Sequence, residues 1–324
     1  MSAVPQYRSR RWDLAEHWSS DIGRQRECCL NQDMDGGCRC SFRPGGFSEG
    51  NRIAANCRLE HLPRLWKWVF MQMKPDSKSR IKCFREQFPC PYIHDGRRAA
   101  IEYMVPSEDS ARMFHEYLSK GYRRIDSLFY HNCCEGCSSC IPIRLTVADF
   151  TPSRSQKRTL RENEDIDVSV LSVPSVTVEK VRLYATYLRT KHRMDEEAVD
   201  HNPERSLRMI HYGFEHAFEM DYYLGDRLIG VGIVDAARDA LSSNYFYYDT
   251  MYLSRRLGIY SILQEIMLAR TLKKRYLYLG FYIAETEKMA YKKFFRPNQI
   301  LRNNRWIPFM TDPSGGKSIR RKSA

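Results

Sequence analysis

The sequence predicts an α+β fold in which a mixed, largely antiparallel sheet is flanked by helices. Three observations carry this. The stretches AFEMDYYL, RLIGVGIVDA and SNYFYYDT alternate as strands do, with the turn residues Gly225 and Asp226 between the first two, and so predict a three-stranded meander. The next stretch, SRRLGIYSILQEIMLARTLKKR, places Ile259, Ile262, Leu263 and Ile266 on one face of an amphipathic helix. A further strand, YLYLGF, follows it.

Taken from the start, residues 1–80 form a cysteine-rich extension with Cys28, Cys29, Cys38, Cys40 and Cys57, several glycines and little periodicity. A helix around Leu62 to Met73 is expected from Leu62, Leu65, Trp66 and Val69. A second region, 81–165, opens with a strand at Ala99 to Met104. A helix follows from Ser107 to Lys120, with Met113, Phe114, Tyr117 and Leu118 at helical spacing, Ser107 as cap and Gly121 as stop. The paired Arg123 and Arg124, a cysteine loop, the strand-like IPIRLTV and the basic segment 151–161 complete it. A third region, 166–305, begins with a helix within Val176 to Arg189, striped by Val178, Val181, Tyr184, Tyr187 and Leu188. Residues 194–213 give no clear pattern. After the meander, helix and strand, a last helix from Glu285 to Phe295 is stopped by Pro297, and 306–324 reads as a basic tail.

The 324 residues, 43% of them apolar, suffice for about two domains with a sizeable core. No apolar run is long enough to span a bilayer, and the charged N-terminus does not read as a secretory signal, so a soluble, cytoplasmic protein with no membrane partner is expected. The net charge of +13 attracts polyanions, nucleic acid before anionic lipid. Eleven cysteines in such a chain read as thiols or metal ligands rather than disulfides. Cys134, Cys137 and Cys140 form a C-x-x-C-x-x-C run that, with Cys90 or Cys133 as fourth ligand, could hold zinc or an iron–sulfur cluster. Reduced thiols without metal explain the same run equally well. His61, His94, His115 and His131 have no evident nucleophile partner.

Antiparallel strands, a helix and one further strand form the order of a GNAT-type acyltransferase half. There a helix N-terminus faces the splay between two strands and can hold phosphate; Arg255, Arg256, Gly258 and Ser261 occupy that turn. The turn SRRLGIYS lacks the usual run of spaced glycines, which argues against acetyl-CoA.

Two long ordered stretches carry a resemblance. CPYIHDGRRAAIEYMV leads into YLSKGYRRIDSLFYHNCCEGCSSCIPIRLTVADFTPSRSQKR. YFYYDTMYLSRRLGIYSILQEIMLARTLKKRYLYLGFYIAETEKMAYKKFFRP follows later. Over about residues 88–302 the chain resembles the arginyl/leucyl-tRNA protein transferase family, in the order of its bacterial aspartate/glutamate leucyltransferases. The resemblance implies a GNAT-like fold, no acyl-CoA, an aminoacyl-tRNA donor and a protein acceptor beginning with Asp or Glu, which the added amino acid turns into a degradation signal. Leu is the favoured donor residue and Arg the alternative. An iron–sulfur cluster on N-terminal-half cysteines of eukaryotic relatives raises the same question for this loop. The chain departs from the bacterial pattern at His131, Asn132 and Cys133, where Arg-Pro-His is usual, and at Ile125 and Asp126, where Ser-Gly is. Residues 1–80 match nothing in the family.

The implied reaction is aminolysis of an ester by an α-amine whose ordinary pKa is about 7.7–8.0, so orientation and oxyanion stabilisation can carry most of it. Asp249, at the end of YFYYDT, is the candidate for holding or deprotonating that amine, with Tyr247 or Tyr248 beside it; turn capping and core packing are the competing explanations. Arg154, Lys157, Arg158 and Arg144 are candidates for the acceptor's carboxylates, as Arg binds them bidentately, with Arg123 and Arg124 the other basic residues in the motifs. Arg255, Arg256, Gly258 and Ser261 are candidates for tRNA phosphate. A non-catalytic, metal-dependent RNA-binding protein is the alternative from another class.

Overall fold

Alternation decides the sheet. In AFEMDYYL, RLIGVGIVDA and ALSSNYFYY, side chains point in turn to the two faces, and both faces are covered, so most of them are buried. The computed structural model describes residues 82–106, 110–191 and 202–309. The expected helix at Leu62 to Met73, the cysteines of residues 1–80, the Ser107 cap and the end of the basic tail lie outside them.

The chain begins with β1 (Lys82–Pro89), β2 (Arg98–Val105), α1 (Ser110–Ser119), β3 (Arg123–Ile125), β4 (Leu128–Asn132) and β5 (Ile141–Thr146). It continues with α2 (Arg154–Arg161), β6 (Ile166–Leu171), α3 (Val178–Lys191) and α4 (Pro203–His211). The meander is β7 (Ala217–Leu224), β8 (Arg227–Ala236) and β9 (Ala240–Tyr248). Then come α5 (Leu257–Thr271), β10 (Tyr276–Tyr282), the short α6 (Glu287–Ala290), β11 (Asn298–Arg302) and β12 (Arg305–Pro308). Two sheets result, a four-stranded one in the order β1-β2-β4-β3 and an eight-stranded one in the order β12-β11-β5-β10-β9-β8-β7-β6. Among the described strands every pairing is antiparallel except that of β9 with β10.

The expected meander, the helix after it and the strand YLYLGF are all present. The expected final helix shrinks to α6 and a 3-10 turn at Tyr291–Phe294, because the segment must deliver Phe295, 1% exposed, into the core. The basic segment is a helix, α2, held by a reciprocal cap between Ser153 and Gln156. Pro203 at its first turn and Asn202 as its cap define α4, in a stretch where sequence pattern gave nothing.

α5 lies on one face of the large sheet over a core of Ile143, Leu145, Met220, Ile229, Leu241 and Leu277. α3 and α4 cover the other face around Leu207, Val231, Ile233 and Tyr247. A third cluster, with Phe114, Phe129 and Phe214, seals the small sheet and α1 against the large one. Two neighbouring arginines clip that joint. Arg124, with no exposed side chain, pairs with Asp235 at 2.8 Å and donates to the carbonyls of Asp126, Ile210 and Tyr212.

Candidate active site

The parallel pair opens a gap. β9 and β10 are paired only at Ala240 with Tyr276, Leu241 with Leu277 and Ser242 with Tyr278. Beyond that point β9 bulges against β8 around Asn244 and β10 shifts register against β5 between Tyr278 and Phe281. The strands therefore part, and backbone carbonyls that a ladder would have used face the space between them.

Arg123 reaches this gap from β3. Its guanidinium donates to Ser242 Oγ at 3.1 Å and to the carbonyls of Ser243 and Asn244 at 2.6 and 3.0 Å. It lies flat on Gly280, whose φ of +80° suits glycine and where an added Cβ would stand 3.1 Å from Arg123 Cζ. The small sheet thus contributes a side chain to the gap in the large one.

Two ionisable groups line the same place. Glu265 of α5 is 1% exposed; its Oε1 accepts from Ser243 Oγ at 3.1 Å, and its Oε2 is buried without a hydrogen-bond partner. Burial pushes its pKa up to about 8, so it is largely protonated at neutral pH. Lys292, half-buried on the turn after α6, donates to the Phe281 carbonyl at 3.1 Å. Burial and the nearby Arg123 charge push its amine down to about 7, against the opposing pull of Glu265.

A cavity of about 160 Å³ adjoins the gap through Phe281, lined by Tyr92, Ile101 and Tyr130 on one side and by Cys90, Cys134, Cys137 and Cys140 on another. The predicted thiols therefore share one cavity, and three of them accept hydrogen bonds. Cys90 accepts from the Ile93 N–H, Cys134 from the Ala100 N–H and Cys137 from Arg97. Hydrogen bonds from Ser139 and Arg97 lower the Cys137 pKa, whereas burial and the other thiols push Cys140 up to about 12. Among the described residues no group of three or more Cys, His, Asp or Glu is arranged to hold a metal ion, so the loop as folded does not fit one.

Residues 88–158 match the family domain described as "Arginine-tRNA-protein transferase, N terminus" and residues 179–302 the domain described as its C terminus. The chain is 34% identical over 225 residues to the aspartate/glutamate leucyltransferase of Saccharophagus degradans, covering 68% of this chain and 94% of that protein. It is 35% identical over 219 residues to that of Shewanella putrefaciens, covering 68% and 92%. The chain belongs to the arginine-tRNA-protein transferase family. Among solved structures, that of L-PGS from Bacillus licheniformis aligns at a TM-score of 0.36 and 13% identity over 75% of this chain and 93% of that one, too low to bear on the site.

Seen in this family member, the predicted site residues do not gather in one cleft. Asp249 is 7% exposed; Oδ1 accepts from the Met251 N–H at 2.9 Å and Oδ2 pairs with Arg227 at 2.6 Å, so both oxygens are occupied. Tyr247 is fully buried against α3 and α4, 3.2 Å from His211 Nε2, and Tyr248 packs between Tyr187 and Phe246. Both tyrosine rings are core. Arg144 is also buried, sandwiched between Tyr276 and Trp306 with its guanidinium carbon 3.9 and 4.3 Å from their ring centres. It donates to Gln299 and to Tyr278 Oη, so it clips β5 to its neighbours.

Arg154 and Lys157 are exposed on α2, and Arg158 on the same helix pairs with Glu162. Arg255 and Arg256 sit before α5 as expected, paired with Asp165 and Glu162. Gly258 opens that helix to space, while Ser261 turns inward and donates to the Gly258 carbonyl. Basic side chains of α2 and of the α5 turn thus form one surface, bridged by Glu162. Sequence reading missed Glu265 and Lys292. A signal existed for the first, the only charged residue of α5 before Arg270 in its last turn.

Proposed function

We propose that the protein transfers leucine from Leu-tRNA to the N-terminal Asp or Glu of acceptor proteins, marking them for degradation. The observation that carries this is the span of the match: the chain covers 94% of a curated aspartate/glutamate leucyltransferase at 34% identity. The charge of +13 suits a tRNA partner. A GNAT-like reading of the fold is supported by the β9–β10 pair, which opens just beside α5. The aminoacyl ester then lies in the gap and no acyl-CoA is used. The described residues contain no helix long and apolar enough to cross a membrane, and we place the reaction in the cytoplasm.

In this reading the gap binds the aminoacyl end and orients its ester carbonyl for the acceptor's amine. The α2 and α5-turn cations, Arg154, Lys157, Arg158, Arg255 and Arg256, bind tRNA phosphates or the acceptor's carboxylate. Zinc or an iron–sulfur cluster at Cys90, Cys134, Cys137 and Cys140 would require the loop to close further, and metal analysis of wild type against Cys137→Ser tests it.

Labelled Leu-tRNA and Arg-tRNA, each offered with peptides beginning Asp, Glu or Ala, test the reaction. Transfer of Leu to Asp and Glu but not Ala is expected. Transfer from Arg-tRNA instead, which the family's own description favours, would change the donor and keep the reaction class. RNA binding without product would move the protein to a non-catalytic role.

A further inference from the structure

We propose that Lys292, at the floor of the β9–β10 gap, touches the reacting amine and relays its proton to the departing ribose oxygen. The assignment rests on the transfer reading and adds to it the base that the sequence did not reveal.

Position comes first. The Lys292 amine is anchored by its bond to the Phe281 carbonyl, on the strand edge that the parting of β9 and β10 leaves open. The residue is half-buried, whereas Lys180 is locked between Glu219 and Asp221 with 4% of its side chain exposed. A neutral amine can spend one N–H on Phe281 and keep its lone pair for a substrate proton. Arginine could not, because it does not deprotonate in proteins.

The surroundings favour the neutral form. The charged groups facing Lys292 are Arg123 from β3, which repels an ammonium, and Glu265 from α5, which burial keeps largely protonated and which therefore offers little counter-charge. Tyr291, which faces Glu265, has its pKa raised by burial and stays uncharged near neutral pH. An amine poised near neutrality can both take and return a proton.

The steps balance. The neutral acceptor amine attacks the ester carbonyl, forming a C–N bond and a tetrahedral centre whose nitrogen carries an extra proton. Lys292 takes that proton, becoming ammonium, and gives it to the ribose oxygen as the C–O bond breaks. Lys292 is neutral again at the end.

The test is the pH dependence of kcat/KM for transfer to an Asp-peptide, for wild type, Lys292→Met and Lys292→Arg. Wild type needs two neutral amines, so its acid limb should approach a slope of two in log kcat/KM against pH. Both variants should fall about 100-fold or more, with a slope of one and with tRNA affinity kept. A variant that keeps the slope of two, an active Lys292→Arg, or a loss confined to KM for acidic peptides would overturn the assignment, the last making Lys292 a carboxylate ligand. Amine-directed labelling read at Lys292 by mass spectrometry gives a second measurement on the folded wild type. A midpoint near 7 is expected, and one near the ordinary lysine value of about 10 overturns the proposal whether or not transfer occurs. Wild type that moves no amino acid from any donor defeats the transfer reading itself, which the labelling does not share.

Discussion

The guanidinium of Arg123 rests on Gly280, so a residue of the small sheet enters the gap in the large one only because Gly280 has no side chain. Gly280→Ala brings in a methyl 3.1 Å from Arg123 Cζ at a φ of +80°. The backbone strain alone costs roughly 1–2 kcal/mol, and the displaced arginine would release the Ser243 and Asn244 carbonyls. A lower Tm and a transfer rate reduced more than tRNA binding are expected. Unchanged kinetics would show that Arg123 does not shape the reaction centre.

That contact also marks where sequence reading stopped. Helix α5 was legible as a helix, although the expected amphipathic face is not seen because residues on every side of it are buried. The meander and β10 were legible because one strand period set them. The expected strand at Ala99 to Met104 falls within β2 for the same reason. The role of Arg123 was not legible, since a basic pair looks alike whether it faces solvent or a gap made by strands some 120 residues away. Tyr247 and Tyr248 alternate as strand residues must, yet helices cover both faces, so alternation led neither ring to a cleft. The short strands β6, β11 and β12 escaped because four to six residues carry too little pattern.

Arg144 offers a sharp distinction between a clip and a ligand. Lys in its place keeps the charge but loses the planar stacking on Tyr276 and Trp306 and the paired bonds to Gln299 and Tyr278. Arg144→Lys should lose about 1–3 kcal/mol of stability in denaturant unfolding, with equal effects on Asp and Glu acceptors. A selective rise in KM for acidic peptides at unchanged stability would restore it as an acceptor ligand.

Asp249 is separable in a similar way. Asn preserves the oxygen that accepts from the Met251 N–H and removes the charge that meets Arg227, whose side chain is 54% exposed. An ion pair with so open a partner is worth at most about 1 kcal/mol, so Asp249→Asn should keep Tm within a few degrees and turnover within about threefold. A fall in turnover beyond tenfold at unchanged Tm would return Asp249 to the chemistry.

The buried cluster beneath β7 makes a pH prediction. Lys180 contacts both Glu219 and Asp221, and His211 contacts Glu219 at 3.0 Å, all four with 4% or less of the side chain exposed. Burial, and then the neighbouring Glu219 charge, push the Asp221 pKa up to about 7, against the pull of Lys180. An unfolded aspartate titrates near about 3.9, so the folded value is the higher one and the protonated form favours the fold. That stabilisation is fully present below about pH 4 and is lost as pH rises towards and through 7, by at most about 1.4 kcal/mol per pH unit. Glu219 is shifted downward, so its own contribution is lost only as pH falls below the ordinary glutamate range and leaves the window from 5 to 8 to Asp221. Asp221→Asn mimics the protonated acid, and its Tm should match wild type below about pH 4 and exceed it increasingly as pH rises towards 8. A variant less stable than wild type at pH 8 would mean that Asp221 is ionised in the fold and that its attraction to Lys180 outweighs burial and the repulsion from Glu219.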